Sequence, residues 1–390
     1  MEQVRYGIIG LGNQGASYAL NIFEKGKATD ATVTAVCDVN PAKIEAFKSK
    51  TQNKELVYFS DYKEMFDSGL CDAVLVEVPH YQHPEMVMEC LKRDIHVICD
   101  KPAGVYTKQV REMNEAAKSS KALFAMMFNQ RTNCVYRKMK EIIAEGGIGE
   151  LQRVNWIITD WYRTQYYYDS GSWRATWAGE GGGVLINQCP HQIDLVQWIV
   201  GEMPVSVNGF CQYGKWHDIE VEDEVTAFFK YKNGATGVFI TTTGEAPGTN
   251  RLEISGTGGK LLSDGKDGLV WYKNATDAGE HSKTSTDGFK KPAREVINVE
   301  TDGENPQHAG IINNFTGAIL GKEELFVDGK EGINGVELMN AIELSGWNNA
   351  EEIALPIDED RYLRELNAHR AVSRIKDTAD VAAADTAGTY

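Results

Sequence analysis

Several features that mark whole classes of protein are missing from this 390-residue sequence. No uninterrupted apolar run approaches the ~20 residues that span a bilayer. The start, MEQVRYGIIGLG, enters a strand pattern without the basic region and cleavage site of an export signal. No block rich in Lys and Arg interrupts a formal net charge of -16. Because that charge repels phosphate backbones and anionic lipid surfaces, we expect neither nucleic acid nor a membrane as a partner.

Cysteine is present, but not in the patterns that build disulfides or zinc sites. The seven cysteines are an odd number and include no C-x-x-C pair. That usage argues against a disulfide framework and against a zinc ribbon. We interpret the cysteines as reduced packing residues, which together with the missing export signal predicts a cytoplasmic protein.

Two textures of apolar pattern divide the chain. As far as about residue 125, short apolar runs alternate with helical patterns, which is typical of a doubly wound parallel sheet. We interpret as strands the runs at 6–10, 33–37, 73–78, 96–99 and 122–127. From about Leu151, longer runs of period two are separated by Asn-Gly and glycine-rich turns, which indicates a mostly antiparallel sheet. The second set of strands is predicted at 154–159, 225–231, 236–242 and 251–255.

Helical patterns over 188–200 and 311–320 interrupt the second set of strands. The sequence therefore predicts an α/β protein with two domains, residues 1–127 and 128–375. A tail rich in Ala, Asp and Thr, residues 376–390, is expected to pack loosely.

A glycine-rich turn follows the first predicted strand. Gly10, Gly12 and Gly15 have G-x-G-x-x-G spacing, and Asn13 and Gln14 lie inside the same turn. Glycines there allow a tight turn and a close backbone approach, so that the amides of a helix N-terminus can meet a pyrophosphate. A plain glycine-rich turn is the alternative interpretation of this motif alone.

The next strand pattern ends at Asp38. A carboxylate at that position can accept both ribose hydroxyls of an adenosine and repels a 2′-phosphate, and no Arg follows within the next few residues. These residues favour NAD over NADP as the cofactor. Asp38 as a simple turn former at a strand end fits the same residues, but it leaves the pairing with the glycine turn unexplained.

Two further segments, VEVPHYQHPE (76–85) and HVICDKPAGV (96–105), each follow a buried-looking strand, where residues line the ligand crevice of an open α/β sheet. Together with the glycine turn they resemble the Gfo/Idh/MocA oxidoreductase family, whose usual Glu-Lys-Pro appears here as Asp100-Lys101-Pro102. The resemblance continues through GGIGEL, EGGGVLINQCPHQIDLVQWIVG, NNFTGAILGKEEL and LPIDEDRY, in the family's order and spacing.

The resemblance implies an N-terminal Rossmann domain and a C-terminal α/β domain with a large, open, mostly antiparallel sheet, through which members assemble as dimers or tetramers. It also implies that Lys101 is catalytic, and that the family motif Asp-x-Gly-x-His lies at Asn187, Cys189 and His191. Asn187 lacks the carboxylate of inositol dehydrogenase-like members, and Cys189 replaces a glycine. Similar Asn-Gln-x-x-His variants occur in the family, so the two departures do not exclude activity, but they weaken assignment to an inositol dehydrogenase.

Cofactor and proton-transfer roles follow from the same comparison. Residues expected at the cofactor, besides the glycine turn and Asp38, are Pro79, His83, Asp100, Lys101 and Gln130. Oxidising a carbinol needs a group that takes the hydroxyl proton, and Lys101 and His191 are the two candidates. Asn187 lies four residues before His191 and Asp194 three after it, spacings that share one face of a helix. Asp194 either fixes the imidazole tautomer, or caps or pairs elsewhere.

Aromatic residues and two arginines are concentrated just before the predicted catalytic helix, in residues 160–183. Rings stack on the apolar faces of sugars and arginines bind hydroxyls or carboxylates. The candidates for a substrate wall are Trp161, Tyr162, Arg163, Tyr166, Trp173 and Arg174. Core packing or an oligomer contact is the alternative for each. Lys101, Asn187, His191 and the weaker candidate His308 complete the predicted substrate site.

His80 and His83 have H-x-x-H spacing but no third ligand in sight, so we expect no metal. The resemblance instead implies that His83 lies near the nicotinamide half of the cofactor. The leading interpretation is an NAD-dependent dehydrogenase or reductase of a sugar, glycoside or cyclic polyol. A glycoside-processing enzyme that oxidises its sugar transiently, and a ligand-sensing regulator, are the alternatives.

Overall fold

A computed structural model of the chain describes residues 2–265, 268–374 and 376. Apart from Lys376, the predicted loosely packed tail lies outside the described residues. Among the residues described, no helix combines the length and apolar character that crossing a bilayer requires. All seven cysteines are buried as free thiols.

The first sheet is parallel throughout and has six strands in the order β3-β2-β1-β4-β5-β6 within the described residues. Its strands are β1 Val4–Ile9, β2 Ala31–Cys37, β3 Val57–Phe59, β4 Ala73–Val76, β5 His96–Cys99 and β6 Phe124–Met126. Five of them match predicted runs, so the Rossmann-type sheet is confirmed. The short β3 was not predicted, because three half-exposed residues carry no readable period.

Helices connect these strands and cover both faces of the sheet. They are α1 Asn13–Ser17, continued by a π-helical stretch over Tyr18–Phe23, α2 Pro41–Lys48, α3 Tyr62–Asp67, α4 His83–Leu91 and α5 Thr107–Ser119. The strand order reverses between β1 and β4, and at such a switch point the carboxyl ends of the strands open a crevice for ligands.

The second sheet has nine strands in the order β14-β13-β12-β11-β7-β10-β9-β8-β15 within the described residues. The strands are β7 Leu151–Ile158, β8 Ser206–Tyr213, β9 Glu222–Lys230, β10 Thr236–Thr242, β11 Asn250–Gly256, β12 Gly259–Ser263, β13 Val270–Asn274, β14 Arg294–Asn298 and β15 Ile353–Ala354. Only β7 and β10 pair in parallel, so the mostly antiparallel sheet is confirmed for the described chain.

The remaining helices are α6 Cys134–Ala144, α7 Gln165–Asp169, α8 Pro190–Val200, α9 Ala278–Thr284, α10 Gln307–Ile319, α11 Gly332–Trp347 and α12 Glu359–Ala371. The two predicted helices correspond to α8 and α10. Helix α8 begins two residues later than predicted, because Pro190 suits the first helical position, where a missing N–H costs nothing. Helix α11 was not predicted, since buried Asn340 and Glu343 interrupt its apolar period.

The C-terminal helices pack against the N-terminal sheet as well as against their own. The Tyr6 hydroxyl on β1 lies 2.9 Å from Thr316 Oγ1 on α10, and the Thr29 N–H donates to Asn313 Oδ1 over 2.8 Å. On α11, the Asn340 side-chain oxygen accepts the N–H of Thr107, the first residue of α5, and its amide donates to the Val105 carbonyl oxygen. These contacts hold α10 and α11 against the N-terminal domain.

Candidate active site

Glycine stands at three positions of the turn after β1 for different structural reasons. Gly10 has a φ of +92°, and a Cβ there would lie 2.1 Å from the Glu77 carbonyl oxygen. A Cβ on Gly15 would lie 1.9 Å from the Gly10 carbonyl oxygen. Gly12, the N-cap of α1, has no atom within 4 Å of its Cβ position. Backbone packing therefore requires Gly10 and Gly15, whereas Gly12 borders open space at the helix start.

Asp38 follows β2 and is 6% exposed. One carboxylate oxygen accepts the Leu11 N–H of the glycine turn over 2.8 Å, and the other accepts the Asn40 N–H over 2.8 Å. The Lys43 Nζ is 3.8 Å from Oδ2. Asp38 thus ties the turn to the next loop and places its carboxylate at the edge of the crevice.

His83 joins the loops that follow β4 and β5. Its Nδ1 lies 2.7 Å from the Pro102 carbonyl oxygen, and its Nε2 lies 2.7 Å from the Val78 carbonyl oxygen. Burial lowers the pKa of His83, and the two carbonyl contacts oppose that shift. Both ring nitrogens lie within hydrogen-bond distance of backbone carbonyl oxygens. His83 therefore connects the two loops of the crevice wall, and neither nitrogen is available to a ligand.

His80 lies in the short 3₁₀ turn His80–Gln82 before α4 and is buried. Its Nδ1 is 3.1 Å from the Glu180 carbonyl oxygen, and its ring is 5.7 Å from the Trp173 ring. Burial lowers the pKa of His80 well below its usual value. His80 therefore joins the N-terminal crevice to the segment before α8.

Lys101 extends from the loop after β5 towards the C-terminal domain. Its Nζ donates to the Asn187 carbonyl oxygen over 2.9 Å, and its main-chain N–H donates to Asp100 Oδ1 over 2.8 Å. The side chain is only 8% exposed. The structure thus brings together Lys101 and Asn187, two predicted site residues that are 86 positions apart.

His191 lies in the first turn of α8 and is 4% exposed. Burial lowers the pKa of His191 well below its usual value, and the charges of Lys101 and His308 lower it further. His308, at the start of α10, also has a lowered pKa from burial, modified by Asp100 and Lys101. His191, His308 and Lys101 therefore share one electrostatic environment.

Asp194 does not fix the His191 tautomer. Its carboxylate forms a two-pronged ion pair with Arg131, whose Nε and Nη2 donate over 2.8 and 2.7 Å, and both residues are 1% exposed. Arg131 Nη1 also contacts Glu331. Of the two roles considered for Asp194, pairing elsewhere is therefore correct, and the ion pair anchors α8 to the turn after β6.

Glu180 is a site residue that the sequence analysis missed. It is 1% exposed, and its carboxylate accepts a hydrogen bond from the Asn187 side-chain amide. Asn187 precedes α8, so the helix-face relation predicted between Asn187 and His191 does not apply, and the Asn187 side chain turns to Glu180 instead. The available signal was a lone carboxylate directly before a run of three glycines.

Two predicted wall residues lie next to these groups. The Trp173 ring contacts the His80 ring, and the positive charge of Arg174 acts on both His80 and Glu180. Arg174 Nη1 donates to the Tyr167 hydroxyl over 2.7 Å. Trp173 and Arg174 are therefore the wall residues that the geometry favours most.

The other wall candidates form a neighbouring aromatic cluster. The Arg163 guanidinium lies 5.3 Å from the centre of the Tyr167 ring and donates to the main-chain carbonyls of Trp161 and Tyr162. The side chains of Tyr162 and Tyr166 are about half exposed. Buried Tyr167 connects this cluster to Arg174.

The remaining cofactor candidates border the crevice. Asn13 and Gln14 form the first turn of α1, Pro79 follows β4, and the Gln130 amide donates to Gln307 Oε1 over 3.1 Å. The described residues contain no group of three or more His, Cys, Asp and Glu side chains placed to hold a metal ion.

The crevice fits a dinucleotide. Open space beside Gly12 at the start of α1 leaves room for a pyrophosphate, and Asp38 sits at the end of the neighbouring strand where a ribose diol would lie. Lys101 lies after β5, across the switch point from Asp38. Fold and crevice together define an NAD-binding oxidoreductase.

Comparison with family models supports this class. Residues 4–128 match the model of the oxidoreductase family with an NAD-binding Rossmann fold, and residues 136–262 match the GFO/IDH/MocA C-terminal domain. The two models together cover about two thirds of the chain. The chain belongs to the Gfo/Idh/MocA oxidoreductase family, and its first domain is an NAD-binding Rossmann domain.

Two similar proteins are named as dehydrogenases of a polyol and of a sugar derivative. The chain is 27% identical over 268 residues to myo-inositol 2-dehydrogenase of Thermotoga maritima, covering 67% of this chain and 75% of that protein. It is 25% identical to levoglucosan dehydrogenase of Pseudarthrobacter phenanthrenivorans, over 52% of this chain and 58% of that one.

A solved structure shows the same fold with ligands bound. The WlbA dehydrogenase of Chromobacterium violaceum, in complex with NADH and UDP-GlcNAcA, superposes with a TM-score of 0.77 at 25% identity. The superposition covers 92% of this chain and 97% of that one.

Proposed function

We propose that the protein transfers a hydride between nicotinamide and a secondary carbinol of a sugar, glycoside or cyclic polyol. The observation that carries the proposal is that Lys101, in the loop after β5, reaches the Asn187 carbonyl oxygen just before α8, the helix whose first turn holds His191. The charge of Lys101 acts on both His191 and His308. Bound NAD would supply the hydride acceptor; the proton has to be handled by these side chains.

His191 is the group that exchanges the hydroxyl proton. Its lowered pKa keeps the imidazole neutral near pH 7, and a neutral imidazole has a lone pair that can accept the proton. Lys101 hydrogen-bonds the same oxygen and stabilises the negative charge that develops there. The reverse assignment, with Lys101 as the proton acceptor, is the closest rival.

The substrate lies against Trp173 and Arg174. An indole ring can stack on the apolar face of a sugar, and a guanidinium can bind its hydroxyls or a carboxylate. Two relatives are named myo-inositol 2-dehydrogenase and levoglucosan dehydrogenase, and the WlbA dehydrogenase is in complex with UDP-GlcNAcA. These comparisons support a cyclic carbohydrate or polyol.

A substrate panel tests the proposal. Purified protein is incubated with free sugars, inositols, glycosides and nucleotide-sugars, each with NAD and with NADP, and nicotinamide absorbance and product mass are followed. Stoichiometric NADH with a product two hydrogens lighter supports the proposal. Release of an aglycone without net NADH would favour transient oxidation, and binding of sugars with no chemistry would favour a sensor.

We further propose that the chain forms a homodimer or homotetramer through its C-terminal sheet. Phe210 on β8 and Phe228 on β9 are 52% and 47% exposed and lie on the sheet face opposite α11. Exposed aromatic residues on an open sheet favour a subunit contact. A Phe210→Glu and Phe228→Glu double variant should have a lower mass by light scattering while NAD binding persists; an unchanged mass would contradict this interface.

The division into domains at residues 127 and 128 is also proposed, and the limits of the two family matches support it. A cytoplasmic location is supported by seven cysteines that are all free thiols, since oxidising compartments favour disulfides.

A further inference from the structure

Glu180 ties three separate segments of the site together. Its Oε2 accepts the Ala175 N–H over 2.5 Å, in the turn that carries the wall residue Arg174. Its Oε1 accepts the Asn187 side-chain amide, and its main-chain carbonyl oxygen contacts His80 Nδ1. Glu180 therefore connects the wall and the loop before α8 through its buried carboxylate, and the loop after β4 through its main-chain carbonyl oxygen.

The charge of Glu180 faces two cations. Burial raises the pKa of Glu180, while Arg174, the Ala175 N–H, Asn187 and Lys101 oppose that shift. Attraction between charges is mutual, so the carboxylate also favours the charged form of the Lys101 amine. Asn187 links the two groups directly, because its side chain binds Glu180 and its carbonyl oxygen binds Lys101 Nζ.

We propose that Glu180 is a positioning residue for the reaction, which through Asn187 fixes the Lys101 ammonium at the reacting oxygen and balances its charge. The inference rests on the proposed function of this site. A tie that only supported the backbone would account for the bond to Ala175. It would not require a carboxylate that binds the residue holding Lys101 and faces Lys101 itself.

Other ionisable groups lie close enough to Glu180 or Lys101 to respond to their charges, so a test variant must leave these groups unchanged. Tyr168, Glu222 and Lys376 also sense the Glu180 charge. The further groups that sense the Lys101 charge are Glu77, His80, His83, Cys189, His191 and His308, and Asp100 accepts the Lys101 N–H. A variant that changes only the charge at residue 180 leaves all of these in place.

Glu180→Gln removes the charge and keeps the shape. The glutamine oxygen can still accept the Ala175 N–H, and its amide can donate to the Asn187 side chain once that amide turns over. We expect kcat to fall by roughly 10- to 100-fold with NAD affinity unchanged. The basic limb of the pH–rate profile should move to lower pH by about one unit, because Lys101 loses its compensating charge.

A matched double variant, Glu180→Gln with Asn187→Asp, moves the carboxylate across the same hydrogen bond. It should return the basic limb to its wild-type position and recover most of kcat. An unmoved limb in Glu180→Gln, or a double variant with the limb of Glu180→Gln, would overturn the proposal. If Glu180→Gln does not fold, the double variant decides alone: a wild-type limb supports the proposal and a lowered one overturns it.

A measurement without substrate separates this inference from the proposed function. The side-chain NMR signal of Lys101, assigned by comparison with Lys101→Arg, is titrated in the free protein. Its midpoint should fall in Glu180→Gln and return in the double variant. If that happens while no carbohydrate is oxidised, the proposed function fails but the coupling stands. An unchanged midpoint in an active enzyme overturns the role of Glu180 alone.

Discussion

Two turns lead into helices beside the same crevice. They differ in whether the protein's own carboxylates fill the space at the turn. The turn before α1 leaves open space at Gly12, where an external anion can approach the helix start. The turn before α8 is filled by the protein's own carboxylates: Glu180 binds Asn187, and Glu222 accepts the N–H groups of Gly183 and Leu185. Burial raises the pKa of Glu222 to about 7. The first turn leaves space at the helix start, and the second is occupied by the protein's own carboxylates.

The largest expected effect is a loss of turnover when His191, in the helix that follows the second turn, is replaced. His191→Ala should lose roughly 10²- to 10⁴-fold in turnover with NAD binding little changed, as is usual for a general acid–base residue. Lys101→Met should be comparably damaging, and the double variant should lose far less than the product of the two. Steady-state kinetics and calorimetry measure both. Near-normal turnover in His191→Ala would leave Lys101 as the proton acceptor.

The first turn can be tested by separating its glycines. Gly12→Val should abolish NAD binding and leave the thermal unfolding temperature close to wild type, because its Cβ enters open space. Gly15→Ala is the matched control: it should lower the unfolding temperature, because its Cβ would meet the Gly10 carbonyl oxygen. An unstable Gly12→Val, or a Gly12→Val that binds NAD normally, would contradict the assignment of open space to a ligand.

Asp38, whose carboxylate accepts the Leu11 N–H of the first turn, provides a second test of that turn. Asp38→Ala should narrow the preference for NAD over NADP by roughly ten- to a hundredfold, because hydrogen bonds to a charged group contribute about 1.5–3 kcal/mol. Calorimetry with both dinucleotides gives the two affinities. Equal affinities in the wild type would show that Asp38 serves only as the bridge between Leu11 and Asn40.

The smallest effect concerns stability around the second turn. The folded-state pKa of His191 is lowered, so below its unfolded value of about 6.5 the unfolded chain binds a proton that the folded protein does not. This group therefore costs stability as the pH falls below about 6.5, by up to about 1.4 kcal/mol per pH unit. The free energy of unfolding of His191→Gln, relative to that of the wild type, should therefore rise by that amount as the pH is lowered. Denaturant unfolding at pH 7, 6 and 5 measures this difference. A constant difference between the two would mean that folding does not lower the pKa of His191.

The same contrast explains what the sequence could predict. The glycine turn, the parallel strands and Asp38 are local patterns, in which a few adjacent residues specify a backbone shape, and the structure has them where the sequence indicated. The contacts of Glu180 with Asn187 and of Asn187 with Lys101 join segments far apart in the chain, and no local period reports them. Asp194 shows the same limit, because its partner Arg131 is 63 residues away.

The bond between Tyr6 and Thr316 has a consequence for the order in which the chain folds. These residues are 310 positions apart, and Tyr6 is completely buried. During synthesis the nucleotide-binding domain emerges first, yet its first strand gains this partner only when the last quarter of the chain is being made. A fragment ending at residue 127 would therefore lack the hydrogen-bond partner of the buried Tyr6 hydroxyl, so the first strand gains this bond only after α10 has been made.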